Sequence, residues 1–151
     1  MKWMNSWASG LAIAVLALGA QAAEPLVPGQ KLPADQIAAY GELPVYAVGK
    51  QRYRLLPQAG ADGASLLLDA QGTVLGSKNE VLITGASEAE IRASTGPGPA
   101  PVSIQYFQAT GIALVRYADF PTTVAALEPL RQRLPSASVR LAISHGAARA
   151  Y

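Results

Sequence analysis

The chain has 151 residues, half of them hydrophobic and only 15% charged, where an ordinary soluble domain carries about 25% charged residues. Its 12 basic and 10 acidic residues leave a formal charge of +2, too small a surplus to argue for a nucleic-acid partner. With no cysteine and one histidine, His145, disulfides, thiolate chemistry and metal sites built on cysteines or several histidines are excluded, and no cofactor or metal is expected.

The N-terminus has the three-part layout of a secretory signal. Lys2 lies in the charged head, Leu11 to Leu18 is an unbroken apolar run, and Ala20-Gln21-Ala22 supplies small residues two apart for cleavage. The apolar run is well short of the roughly 20 residues that span a bilayer. The expectation is a signal peptide over residues 1–22 and a protein that is periplasmic or secreted, with no membrane attachment after signal removal.

Residues 23–78 read as a loose arm followed by a small β-rich region. Ala23 to Lys31 is polar and rich in proline and glycine. Pro33 to Tyr40 makes two helical turns, with Pro33 near the first helical position and Gly41 as the stop. Leu43 to Leu56 holds two strand-like runs around Gly49-Lys50, and Gln58 to Gly63 reads as a loop. Ser65 to Leu68 and Thr73 to Leu75 flank Asp69-Ala70-Gln71-Gly72 as a second hairpin.

From Asn79 the pattern alternates between strands and helices. Val81 to Thr84 is a buried-strand run, and Ser87-Glu88-Ala89-Glu90 is a capping box that opens a helix to about Ser94. Gly96 to Pro101 is a linker. Val102 to Gln108 and Ile112 to Tyr117 form a hairpin about Ala109-Thr110-Gly111. Asp119 before Pro121 starts a helix in which Val124, Leu127, Leu130 and Leu134 recur at helical spacing, and Pro135 stops it. Val139, Leu141 and Ile143 alternate along a last strand. Residues 79–151 thus read β-α-β-β-α-β, an α+β, ferredoxin-like antiparallel sheet with two helices. Its expected core is Ile83, Ile104, Leu114, Leu127, Leu130 and Leu141.

Enzyme chemistry is not found. Ser144 and His145 are strand neighbours and point to opposite faces, so they cannot serve as nucleophile and base. Glu88 and Glu90 do not face each other on a helix, whereas Glu88 and Arg92 are spaced for a surface pair. Lys50, Arg52 and Arg54 form a basic stripe near Tyr46 and Tyr53, narrower than single-stranded nucleic acid requires.

After that β-α-β-β-α-β pattern the last strand runs into a short tail, Ala148-Arg149-Ala150-Tyr151. This combination resembles the N-terminal propeptide of subtilisin-like serine proteases over about residues 79–151. Such propeptides are ferredoxin-like domains that chaperone their protease and feed a C-terminal tail into its cleft. The resemblance implies a subtilisin-like serine protease as a 1:1 partner. Ala148, Arg149, Ala150 and Tyr151 would then be the protease-binding tail. No protease follows Tyr151 in this chain, so the expectation is an external chaperone and product-like inhibitor, not an enzyme. Propeptides often carry acidic residues just before the tail to cap helices of the protease. The matching stretch here is Ile143-Ser144-His145, without a carboxylate, which leaves Ser144 and His145 as the capping contact. Two alternatives stay open: a stand-alone protease inhibitor without a folding role, and a periplasmic binding or envelope module with no protease partner.

Overall fold

The computed structural model describes residues 24–146; the expected signal peptide and the tail residues Ala148, Arg149, Ala150 and Tyr151 lie outside them. Over the described residues the fold is α+β, with three helices and two four-stranded antiparallel sheets. The β-rich N-terminal region is therefore a full sheet, not an appendage to a single one.

The first sheet contains β1 (Val45–Val48), β2 (Gln51–Ala59), β3 (Ser65–Leu68) and β4 (Val74–Ser77) in that order, following a short helix α1 (Ala34–Ala39). Both expected hairpins form. Gly49 turns the first with φ 61°, and Gly72 turns the second with φ 78°. The expected loop over Gln58–Gly63 begins later, because β2 continues to Ala59. Pro57 is accommodated there by a register shift between Leu55 and Ala59, and a bulge is one of the few sheet positions open to proline.

Strand alternation gives this sheet two buried faces. Leu56, Leu66, Leu68 and Val74 pack under α1 and its flanks, with Leu32, Ile37 and Tyr40. Leu67 and Leu75 point the other way, onto Phe120. The arm before α1 is not loose. Gly29 donates its N–H to Val74 O at 2.7 Å, Val74 donates to Gln30 O at 2.7 Å, and Leu32 donates to Gly72 O at 2.9 Å. These bonds occupy the edge of β4 that β3 leaves unpaired.

The second sheet contains β5 (Glu80–Thr84), β6 (Ser103–Phe107), β7 (Ile112–Arg116) and β8 (Ser138–Leu141), in the order β6-β7-β5-β8. Helix α2 (Glu88–Thr95) follows β5. Its capping box is formed, with Ser87 Oγ accepting from Glu90 N and Ser87 N donating to Glu90 Oε2 at 2.7 Å. Helix α3 (Phe120–Arg133) follows β7 and is capped by Asp119, which accepts from Thr122 N at 2.8 Å. Arg133 Nη1 donates to Ser94 O at 3.0 Å, so a side chain of α3 satisfies a carbonyl in the last turn of α2.

Both helices lie on one face of this sheet, where Val81, Ile83, Ile91, Val115, Leu127 and Leu130 form the core. Of the expected core residues, Ile83, Leu127 and Leu130 are buried, and Ile104 and Leu141 are partly buried against them. Leu114 is not among them. Ala113 and Val115 take the helix-facing positions, which puts Leu114 on the opposite face beside its partner Leu82. Bulk on β7 misleads about phase: the small Ala113 is buried because Tyr106, its partner on β6, fills that space.

The two sheets share α3. Phe120 and Val124 contact the first sheet, while Ala126, Leu127 and Leu130 contact the second. Helix α1 covers one side of the first sheet, α3 lies between the two sheets, and α2 joins α3 on one face of the second sheet, whose far face no element of the described residues covers.

Candidate functional site

The uncovered face of the second sheet presents Gln105 and Phe107 from β6, Ile112, Leu114 and Arg116 from β7, Leu82 from β5 and Arg140 from β8. Register fixes this set, because each residue is one position out of phase with the core. Leu82, Ile112 and Leu114 are half-buried and Phe107 is 40% exposed. The centre of the face is therefore apolar. Its rim is charged: Arg116 grips Glu80 with Nη2 at 2.7 Å and Nε at 3.1 Å from the same carboxylate oxygen. Arg140 and Lys78 stand at the same end with no ion pair among the described residues.

That end is closed by a wall from the first sheet. The loop after β2 is fastened by Gly60 N to Ala64 O at 2.8 Å and by Ala64 N to Asp62 Oδ1 at 3.1 Å. Between this loop, Pro28 of the arm and the sheet lies a cavity of about 450 Å3, to which Asp62, Lys78, Glu80, Arg140 and Ser144 contribute.

The chain leaves the second sheet along β8. Arg131 Nε donates to Val139 O at 3.2 Å and ties the strand to α3. The strand ends at Leu141, short of the expected Ile143, so Ser144 and His145 are not strand neighbours; one further bond, from Ala142 to Glu80 O at 2.9 Å, still holds the chain to β5. Two residues on it crosses to the first sheet. Ser144 donates to Gly76 O at 2.8 Å and accepts from Gly76 N at 2.9 Å. Glycine at 76 makes room for the arm rather than for Ser144: a Cβ there would press on Pro28 Cγ at 3.0 Å but would lie in ordinary contact with Ser144 Cβ at 3.8 Å.

Ser144 and His145, the expected capping contact, are both exposed beyond the end of this strand. Among the described residues Ser144 Oγ accepts one long bond, 3.4 Å, from Gly146 N. Among the described residues no hydrogen bond joins the serine hydroxyl to His145. The other residues weighed for chemistry have structural roles. Tyr46 and Tyr53 are paired across β1 and β2 and face Phe120, whereas Arg52 and Arg54 point to the opposite side, so no mixed aromatic and basic platform forms. Burial, with a smaller contribution from Asp69, raises the Tyr53 hydroxyl above its ordinary pKa. Glu88 and Arg92 make their surface pair at 2.8 Å.

Sequence reasoning missed the apolar residues of the open face and the joint between Ser144 and Gly76. The first left a trace, because Val81-Leu82-Ile83 is apolar on both strand faces. The second left none. Compared with protein-family models, curated proteins and solved structures, the chain matches none. Among the described residues no helix is long and apolar enough to cross a membrane.

Proposed function

We propose that this protein is an exported chaperone and inhibitor of a subtilisin-like serine protease, docking through the open face of its second sheet. The observation that carries the reading is the arrangement of residues 80–141. Its first strand, β5, lies between the third and fourth, its second strand, β6, is at one edge, and both helices share one face. That order supports a ferredoxin-like unit of the propeptide kind. An apolar sheet face left uncovered among the described residues supports the same reading.

In this reading the segment Ala148-Arg149-Ala150-Tyr151 adds as a strand to the protease's substrate cleft. Main-chain bonds supply grip and side-chain pockets supply selectivity. Tyr151 fills the main specificity pocket, Ala148 and Ala150 suit cramped subsites, and Arg149 points outward. The exposed Ser144 hydroxyl has acceptor capacity left for a helix N-terminus on the protease, in place of a carboxylate. Because the docking surface fits the native-like protease better than its unfolded forms, binding stabilises the native form by mass action. Chaperoning and inhibition are then one binding event.

Co-expression tests this. A subtilisin-like protease from the same source, produced with and without this protein at matched protease levels, should give more active enzyme in its presence. Equal yields would reject the chaperone role.

A further inference from the structure

The N-terminal arm meets the root of the C-terminal segment at two glycines. Gly146 has φ 99°, and a Cβ placed on it would lie 2.5 Å from Pro28 O and 3.2 Å from Gly29 Cα. Gly29 has φ 93°, and its Cβ would lie 3.0 Å from His145 O. Both backbones are therefore in contact at a conformation and a distance that only glycine fits without strain. Each is also fastened to the same strand. Gly29 bonds to Val74, and Ser144 bonds to Gly76, two residues further along β4. The arm and the end of the β8 chain thus share one edge of the first sheet and press on each other where they adjoin.

We infer that residues 28–29 are a clamp on the backbone of Gly146, making Pro28, Gly29 and Gly146 positioning residues for the root from which the segment 148–151 would enter a partner's cleft. This rests on the proposed insertion of that segment into a protease cleft. It gives the arm and the first sheet a part in binding: β4 is the rail on which both jaws are mounted. A root held at Gly146 before binding has no backbone freedom of its own left to lose when the segment beyond it enters a cleft. Fixing one residue's backbone is worth about five- to thirtyfold in affinity.

The test is a double-mutant cycle on binding to a subtilisin-like protease whose catalytic serine is replaced by alanine. Its arms are the unaltered protein, deletion of residues 24–28, removal of residues 148–151, and both together. Deleting 24–28 should weaken binding about five- to thirtyfold when 148–151 is present and have no effect when it is absent. Equal weakening in both backgrounds, or none in either, overturns the clamp. If removing 148–151 leaves affinity unchanged, the insertion reading fails instead, and amide exchange in the free protein decides the clamp. Gly146→Ala should speed exchange of the Gly29 amide by pushing the arm off β4. Gly29→Ala should speed exchange of the Ser144 amide by pushing on His145. Unchanged rates in either folded variant overturn the clamp on their own.

Discussion

Phe120, the first residue of α3, meets Tyr46 of β1 edge to face, with ring centroids 5.4 Å apart and planes at 89°. That geometry sets the positive edge of one ring against the negative face of the other. Phe120 is fully buried, among Leu67 and Leu75 of the first sheet. Since the same helix puts Leu127 and Leu130 into the second sheet's core, this contact joins the two halves of the molecule.

Phe120→Ala is expected to cost about 3–5 kcal/mol, the usual range for emptying a fully buried phenylalanine site. Urea unfolding followed by circular dichroism measures it. The unaltered protein should unfold in a single transition, because one cluster spans both sheets. Two separated transitions would show that Phe120 does not couple them.

Acid should weaken the protein through its helix caps. Hydrogen bonds from the Ser87 backbone and side chain hold the Glu90 carboxyl below its ordinary pKa of 4.5, and bonds from Thr122 hold Asp119 below 3.8. A carboxylate with a lowered folded-state pKa adds stability that is complete above its unfolded value and lost as pH falls through the folded one. The melting temperature should therefore hold from neutrality to about 4.5 and decline below it on account of these two groups. Glu90→Gln combined with Asp119→Asn should be less stable at neutral pH and show a flatter acid limb. An acid limb as steep as that of the unaltered protein would assign the decline to other groups.

Ser87→Ala removes the hydroxyl that accepts from Glu90 N. The expected cost is about 1 kcal/mol, as for other N-caps, read from the urea midpoint. Binding to the protease should not change, since α2 lies on the covered face of the sheet.

Leu114→Asp tests the open face. Leu114 lies half-buried beside Leu82, outside the core on the helix side, so the substitution should leave the circular dichroism spectrum intact. It should weaken protease binding by tenfold or more, on the order of the apolar burial lost at a docked leucine. Unchanged affinity in a folded variant would place the docking surface elsewhere.

Removing Tyr151 tests the tail. Buried aromatic anchors cost about 2–4 kcal/mol when truncated, and 1.4 kcal/mol is tenfold, so inhibition should weaken by roughly 30- to 700-fold. A form carrying a few residues beyond Tyr151 should be trimmed back to it by the protease. If both forms inhibit like the parent and the extension survives, residues 148–151 do not enter the active site.

What was legible in the chain before folding is what neighbouring residues decide among themselves. Ser87 and Glu90 cap α2 through bonds spanning three residues, and Asp119 with Pro121 starts α3 in the same way. Gly49 and Gly72 turn their hairpins because the positive φ each needs is a local demand. The order of elements from β5 to β8 followed from such signals, and so did the type of every helix.

Tertiary structure alone decided which side of an apolar strand is covered. Ile112-Ala113-Leu114-Val115 is apolar on both faces, and the side that became core depended on Tyr106 and the helices, not on β7 itself. The arm reads as loose because its bonds go to Gly72 and Val74, distant in the sequence. Ser144 reads as a strand end because its partner, Gly76, lies in the other sheet. Hydrogen bonds within a turn are encoded by adjacent residues. Contacts between distant segments form only once the chain has brought both to the same place, and no short window of sequence contains both partners.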